Sequence, residues 1–304
     1  MCGLFGYLSK TGRGPDLDRL RRIALETQIR GAHAFGLVWV APDGKLHVFK
    51  RPGSAAANLD ALDRCRDALI VAGHCRYATH GDPADNRNNH PHRAGRGWLV
   101  HNGIVRNHAS IARRYGLVPE TECDSEVLGL LMAKVPGSLQ RRAAIGVDAT
   151  DGPLALLGVW TRPARLLLVR RGNPLWIGET RTGAYFGSLP GELPEGARPV
   201  PEGYAMVHTL DDRLLVSQIG SRNAGLPRVA VGGSRRLRMA ARPSGTSWDN
   251  NTMTEKDWDL FCELLEKLVS QPGSWKEKKE AVEAEASRRG ADTALEEFAG
   301  WFSE

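Results

Sequence analysis

Cys2 stands second in the chain, directly after the initiator methionine. Cysteine is small enough for that methionine to be removed, which would leave the thiol beside its own α-amine. With a pKa of roughly 8, the amine can serve as base for the thiol near neutral pH. Such a nucleophile needs no separate histidine. Its attack on a carboxamide makes a tetrahedral oxyanion, and each hydrogen-bond donor aimed at that oxygen lowers the barrier by roughly 3 kcal/mol. Asn102-Gly103 offers a side-chain amide and a residue that lets the backbone come close. Arg76 can grip a carboxylate bidentately. Asp124 can hold an ammonium, its charge favoured at the start of a helix. Taken singly, each has a plainer reading. Cys2 reads as a small core residue, Asn102-Gly103 as a hairpin turn, Arg76 as half of a surface ion pair and Asp124 as an N-cap.

These residues fall where apolar runs end. Ala68-Leu69-Ile70-Val71-Ala72 reads as a buried strand and leads into Gly-His-Cys-Arg-Tyr-Ala-Thr-His-Gly, residues 73–81. Trp98-Leu99-Val100 is a second such strand and runs into His101-Asn102-Gly103. Two strand ends bearing Arg, Thr, His, Asn and Gly point to one site. Upstream, residues 2–9 read as a strand. Asp16 caps a helix to about Ile29, with Leu17, Leu20, Ile23 and Ala24 as its buried stripe. The strand 37–40 turns at Pro42-Asp43-Gly44 into 46–49, and a short helix spans about 59–65. Residues 80–96 form a polar loop. Helices are expected over 107–115 and from Asp124, with Val127, Leu128, Leu131 and Val135 inward. Strands follow at 154–161, 166–170 and 175–178, then on to about Ile219. The order of elements predicts an α+β layered fold with antiparallel sheets.

Several motifs in order carry a family resemblance. They are Met-Cys-Gly-Leu-Phe-Gly, Arg30-Gly31 with Phe35-Gly36, the 73–81 run, Asn89-His90-Pro91-His92, His-Asn-Gly-Ile-Val-Arg-Asn from His101, and Glu122-Cys123-Asp124-Ser125-Glu126. Together they resemble the class II (N-terminal nucleophile) glutamine amidotransferases, in particular the glutaminase half of glucosamine-6-phosphate synthase. The likeness covers about residues 2–215. It implies a four-layer αββα sandwich and hydrolysis of L-glutamine to glutamate and ammonia through a γ-glutamyl thioester on Cys2. It implies Asn102 and Gly103 as oxyanion hole, and Arg76, Thr79, His80 and Asp124 as the grip on the substrate's α-carboxylate and α-amino groups. Arg30 would brace the N-terminal segment, and His90 would neighbour the site. The departures are His33-Ala34 for the usual Asp-Ser, Tyr77 for a frequent Trp and Cys75 for Thr. The change at His33 bears on how the loop beside the nucleophile is held.

The 304 residues, 41% hydrophobic and 25% charged, are those of an ordinary globular protein. No apolar run approaches a membrane span, and no signal peptide is expected. Five irregularly spaced cysteines argue against a disulfide framework and for the cytoplasm. A net charge of +6 permits contact with nucleic acid without demanding it. The expected division is a glutaminase domain over 2–220, a basic Gly/Pro/Ser-rich arm over 221–255 and a small helical module over 256–304. The module is too short for a second, ammonia-using domain, so the expected acceptor is an enzyme on another chain. No cofactor is expected. The histidines and cysteines (His74, Cys75, His80, His90, His92, His101, Cys123) match no metal-ligand spacing. The alternative to an enzyme is a non-catalytic binding protein on the same scaffold, acting through its C-terminal helices.

Overall fold

The computed structural model describes residues 2–211 and 213–220. The chain divides into two units, Met1–Leu226 and Pro227–Glu304; everything described here belongs to the first. The arm expected over 221–255 and the helices expected over 256–304 lie outside the described residues.

In chain order the elements are β1 (Gly3–Ser9), α1 (Leu17–Thr27), β2 (Ala34–Val40), β3 (Leu46–Pro52), β4 (Ile70–Arg76), β5 (His92–Ala94) and β6 (Gly97–Gly103). There follow α2 (His108–Tyr115), α3 (Ser125–Lys134), α4 (Leu139–Asp148), β7 (Leu154–Trp160), β8 (Arg165–Arg171) and β9 (Trp176–Glu179). The last are β10 (Gly183–Gly187), β11 (Arg198–Pro199), β12 (Tyr204–Thr209) and β13 (Leu214–Gln218). They form two sheets, β11-β9-β10-β1-β4-β2-β3 and β13-β12-β8-β7-β6-β5. Every paired strand runs antiparallel to its neighbours.

The two-residue period of the strands builds the layers. In β1, Leu4 and Leu8 join Val38, Ile70, Val100, Leu157 and Leu168 in a core that draws on both sheets. Phe5 and Tyr7 face the other way, packing with Leu20, Ile23 and Ala24 of α1. On the far sheet, Leu99, Leu156 and Leu167 meet Leu128 and Met132 of α3 and Leu139, Ala143 and Val147 of α4. The result is helix, sheet, sheet, helix: the αββα sandwich. Each large side chain so buried contributes roughly 1.5–3 kcal/mol. Helix α1 starts where expected, the Asp16 carboxylate accepting from Arg19 N–H at 3.1 Å.

The structure corrects the sequence reading in several places. His101, Asn102 and Gly103 do not follow β6; they are its last residues, and Asn102 and Gly103 pair with Ala155 and Leu154. The hairpin reading of Asn102-Gly103 is therefore wrong. Strand β4 likewise carries its polar residues within it, to Arg76. The polar 80–96 stretch contains β5. Helix α4 is absent from the sequence reading; half of its buried residues, Ala143, Ala144 and Gly146, are small and weaken the apolar stripe.

Candidate active site

Cys2 lies at the mouth of the sandwich, where β1 enters its sheet between β4 and β10. Its carbonyl accepts from Arg30 Nε at 2.9 Å. Its sulfur is clasped by one residue: the thiol donates to Tyr77 O at 3.5 Å and Tyr77 N–H points back to Sγ at 3.3 Å. Gly3 makes this entry possible. A Cβ there would stand 2.4 Å from Thr27 Cγ2 and 2.6 Å from Thr27 O, so any side chain would push Cys2 outward. Cys2 is partly exposed. Burial nevertheless pushes its thiol above the ordinary range, the Tyr77 N–H and the Arg76 guanidinium pull it back, and the Asp124 carboxylate adds to the rise. Cys2, Arg76 and Asp124 thus share one electrostatic field.

Arg76 is 2% exposed. Its Nη1 donates to Asn89 Oδ1 at 2.7 Å, and its Nη2 donates to the carbonyls of His80 and Gly81. It holds the 77–81 loop. Either edge of the guanidinium that could form a two-bond fork uses Nη2, whose two protons are already given to main chain. A bidentate grip on a substrate carboxylate would have to displace one of these partners, so the simple fork expected from sequence is not free in this conformation. Asn89, the partner that sequence reasoning missed, is fully buried. It opens the Asn-His-Pro-His motif, but nothing in that motif marks it as the partner of Arg76.

The last turns of β4 and β6 are joined across the sheets: His74 Nε2 donates to His101 O at 3.0 Å. Asn102 therefore lies at the same end of the sandwich as Cys2. Its side chain is 0% exposed, and neither Oδ1 nor Nδ2 has a hydrogen-bond partner among the described residues. Its carbonyl accepts from Asn173 Nδ2 at 2.8 Å, a second support that the sequence does not show. At Gly103 a Cβ would stand 2.6 Å from His101 Nε2 and 2.7 Å from Pro153 O.

Asp124 precedes α3 without capping it through its side chain. Its Oδ2 accepts from Val105 N–H at 2.5 Å, and its Oδ1 stands 3.9 Å from His80 Nδ1. The N-cap reading is replaced by a carboxylate braced against the segment after β6. Glu126 fixes the approach to α3 instead, accepting from the N–H groups of Glu120 and Thr121 and from Thr121 Oγ1. Thr79 Oγ1 lies 3.2 Å from His80 Nδ1, so Thr79, His80 and Asp124 form one patch.

His90 lies behind this patch, not on it. It is 3% exposed, stacked on His74 at 3.9 Å and edge-on to His92 at 4.6 Å. Burial holds all these rings neutral: His74 falls to about 3, His101 to about 4, and His90 and His92 well below the usual imidazole value. Ligand atoms of His90, His92 and Cys123 come within 4.8 Å of one another, a grouping that sequence spacing did not show. The donors suit a soft divalent metal, but the charges do not. Lys50 and Arg76 help keep His92 unprotonated, and the same field opposes a dication. Among the described residues no helix is long and apolar enough to cross a membrane.

No family model matches the chain. It is 34% identical over 200 residues to glutamine–fructose-6-phosphate aminotransferase (isomerizing) of Corynebacterium efficiens, covering 59% of this chain and 31% of that protein. Against the enzyme of the same name from Leifsonia xyli subsp. xyli it is 33% identical over 310 residues, 97% of this chain and 46% of the relative. It thus spans less than half the length of these relatives. Among solved structures, glutamine phosphoribosylpyrophosphate amidotransferase from B. subtilis superposes with a TM-score of 0.60 at 22% identity, over 71% of this chain and 49% of that one. That superposition supports the fold, and the sequence relatives carry the rest: the chain belongs to the class II glutamine amidotransferases.

Proposed function

We propose that the chain hydrolyses L-glutamine to glutamate and ammonia, with Cys2 as nucleophile once Met1 has been removed. The observation that carries the reading is the fully buried Asn102 amide, without a hydrogen-bond partner among the described residues, at the end of the sandwich where Tyr77 clasps the Cys2 sulfur. A preorganised donor with nothing to donate to is what a developing oxyanion requires. The α-amine of Cys2 takes the thiol proton as sulfur bonds to the γ-carbonyl carbon. The oxygen gains charge against Asn102 and the Gly103 backbone. The C–N bond then breaks, and ammonia leaves with the proton the amine held. Water, activated by the same amine, cleaves the thioester to release glutamate.

Asp124 receives the substrate ammonium, with Thr79 and His80 beside it, and Arg76 shapes the loop that meets the carboxylate. Arg30 anchors the Cys2 carbonyl, and His90 supports the packing behind. The relatives' name speaks of an aminotransferase acting on fructose 6-phosphate. For this chain we take ammonia to pass to an acceptor enzyme on another chain, in the cytoplasm.

The test is intact mass after treatment with a glutamine-mimicking electrophile, alongside an ammonia-release assay. One label on a chain lacking Met1, absent from a Cys2→Ala variant that also releases no ammonia, is the expected result. A retained Met1 in active protein, or ammonia release by the variant at the normal rate, sinks the proposal.

A further inference from the structure

His33 occupies an exposed position just before β2, yet it is engaged on three sides by the loop that holds the nucleophile. Its N–H donates to Arg76 O at 2.9 Å and its carbonyl accepts from Gly53 N–H at 2.9 Å. Its ring stacks on that of Tyr77, centroids 4.9 Å apart and planes 28° from parallel. Its Nδ1 lies 3.0 Å from Ala78 N. A backbone N–H can only donate, so Nδ1 is the acceptor, and a neutral ring must carry its proton on Nε2.

The consequence lies one residue away. Tyr77 touches the Cys2 sulfur through both N–H and C=O, and the residue is 48% exposed. Tyr77 gets little fixing from burial. What fixes it is Arg76 on one side and the bond from Ala78 to His33 on the other. On the side of the 3-10 turn Gln28–Arg30, Gly31 lets the chain lie against the Arg76–Tyr77 peptide, where a Cβ would stand 2.5 Å from Tyr77 N.

We infer that His33 is a positioning residue for the nucleophile: its Nδ1 pins the Ala78 N–H, and with it the Tyr77 peptide that clasps the Cys2 sulfur. The inference rests on the proposed function only for its bearing on turnover, since the clamp on the thiol exists with or without glutamine.

Substitutions separate the acceptor from the ring. In His33→Asn the Oδ1 takes the place of Nδ1, one bond beyond Cγ, while the ring is lost. In His33→Phe the ring stays and the acceptor is lost. His33→Ala loses both. The primary readout is the pH dependence of Cys2 alkylation by iodoacetamide, read on the N-terminal peptide by mass spectrometry; Cys65, Cys75 and Cys123 are buried. We expect the half-maximal pH to rise by about half a unit in His33→Phe and His33→Ala, because a displaced Tyr77 N–H no longer supports the thiolate. In His33→Asn it should stay near wild type. Glutamine hydrolysis should follow the same order, with kcat down about threefold to tenfold in the first two and KM little changed. Wild-type profiles in His33→Phe and His33→Ala would overturn the inference. So would a His33→Asn protein as impaired as His33→Ala, since the acceptor would then be irrelevant. If no protein in the series, wild type included, releases ammonia, the glutaminase reading fails while the alkylation order still decides the clamp.

Discussion

The rim around Cys2 and the interior behind Asn102 both hold polar side chains, on opposite terms. At the rim, side chains are bonded to main chain: Arg30 to Cys2 O, Arg76 to His80 O and Gly81 O, His33 to Ala78 N, and of these only Arg30 Nη2 is buried without a partner among the described residues. In the interior, both ring nitrogens of His90, the Nε2 atoms of His92 and His101, and the whole Asn102 amide are buried without a partner among the described residues. A buried polar group left unpaired costs about 1–3 kcal/mol. The rim secures position, and the interior gives up stability. Stability given up beside a nucleophile is tolerable where the unpaired group is completed only as the reaction proceeds. Substitutions at the rim should therefore change the thiol, and substitutions in the interior should change turnover or stability.

The largest effect is expected at Cys2 itself. Cys2→Ala should reduce ammonia release to background, a loss of several orders of magnitude, while the melting temperature stays close to wild type. Among the described residues the sulfur's hydrogen bonds run only to Tyr77, and cysteine to alanine removes a single heavy atom. A Cys2→Ala protein that retains turnover would break the rim half of the comparison.

Next comes Asn102→Ala. If Asn102 is an oxyanion donor, as proposed, its loss should lower kcat about a hundredfold to a thousandfold with KM little changed. The same substitution removes a buried amide whose two polar atoms have no partner among the described residues, which offsets part of the cavity it opens. Thermal melting should therefore shift by only a few degrees. A large fall in melting temperature with a small fall in kcat would mean that the amide is structural, and the interior would lose its catalytic reading.

How much of this was legible in the chain follows from the kind of interaction involved. Strand alternation is written locally, so β1, β2, β3 and the buried stripe Leu17, Leu20, Ile23 and Ala24 could be read off directly. So could the residues whose chemistry is unusual for their place, Cys2 above all. Partners brought together by the sandwich could not. Asn89 under Arg76, Asn173 under Asn102, and Val105 N–H under Asp124 are 13, 71 and 19 residues from what they support. Only the packing of the two sheets sets those distances. The Asp124 carboxylate shows the limit well. At the start of a helix an acid reads as a cap, and only the tertiary fold turns it toward the segment after β6.

Acid should expose the interior. The folded-state values of His74 and His101 are depressed, to about 3 and about 4, chiefly by burial. The unfolded chain, with imidazoles near 6.5, binds more protons between those limits. Their contribution is fully present above about pH 6.5 and is lost as pH falls toward the folded values. Each ring loses up to about 1.4 kcal/mol per pH unit across that window. Burial depresses His90, His92 and His208 in the same way, so urea unfolding at pH 7 and pH 5.5 should show a drop in stability of several kcal/mol, which a His101→Gln variant should reduce by about a fifth to a quarter. A flat profile would mean that these rings are not neutral and buried as a group.

The smallest effect is expected where the chemistry looks most tempting. His90, His92 and Cys123 bring ligand atoms within 4.8 Å of one another in a fully buried pocket, and neutral imidazoles are ready ligands. Two features oppose a metal there. Burial and the neighbouring Asp124 carboxylate push the Cys123 thiol up to about 11, so binding must displace a firmly held proton. The Lys50 ammonium and Arg76 guanidinium act on the same site, and a dication would add to their charge in a medium of low polarity. Dialysis against a strong chelator should leave both the melting temperature and glutamine hydrolysis unchanged, and elemental analysis before dialysis should find zinc far below one equivalent. One equivalent of zinc, with a fall of several degrees on its removal, would show that the unpaired nitrogens of His90 and His92 belong to a bound ion. The contrast between rim and interior would then rest on Asn102 and His101 alone.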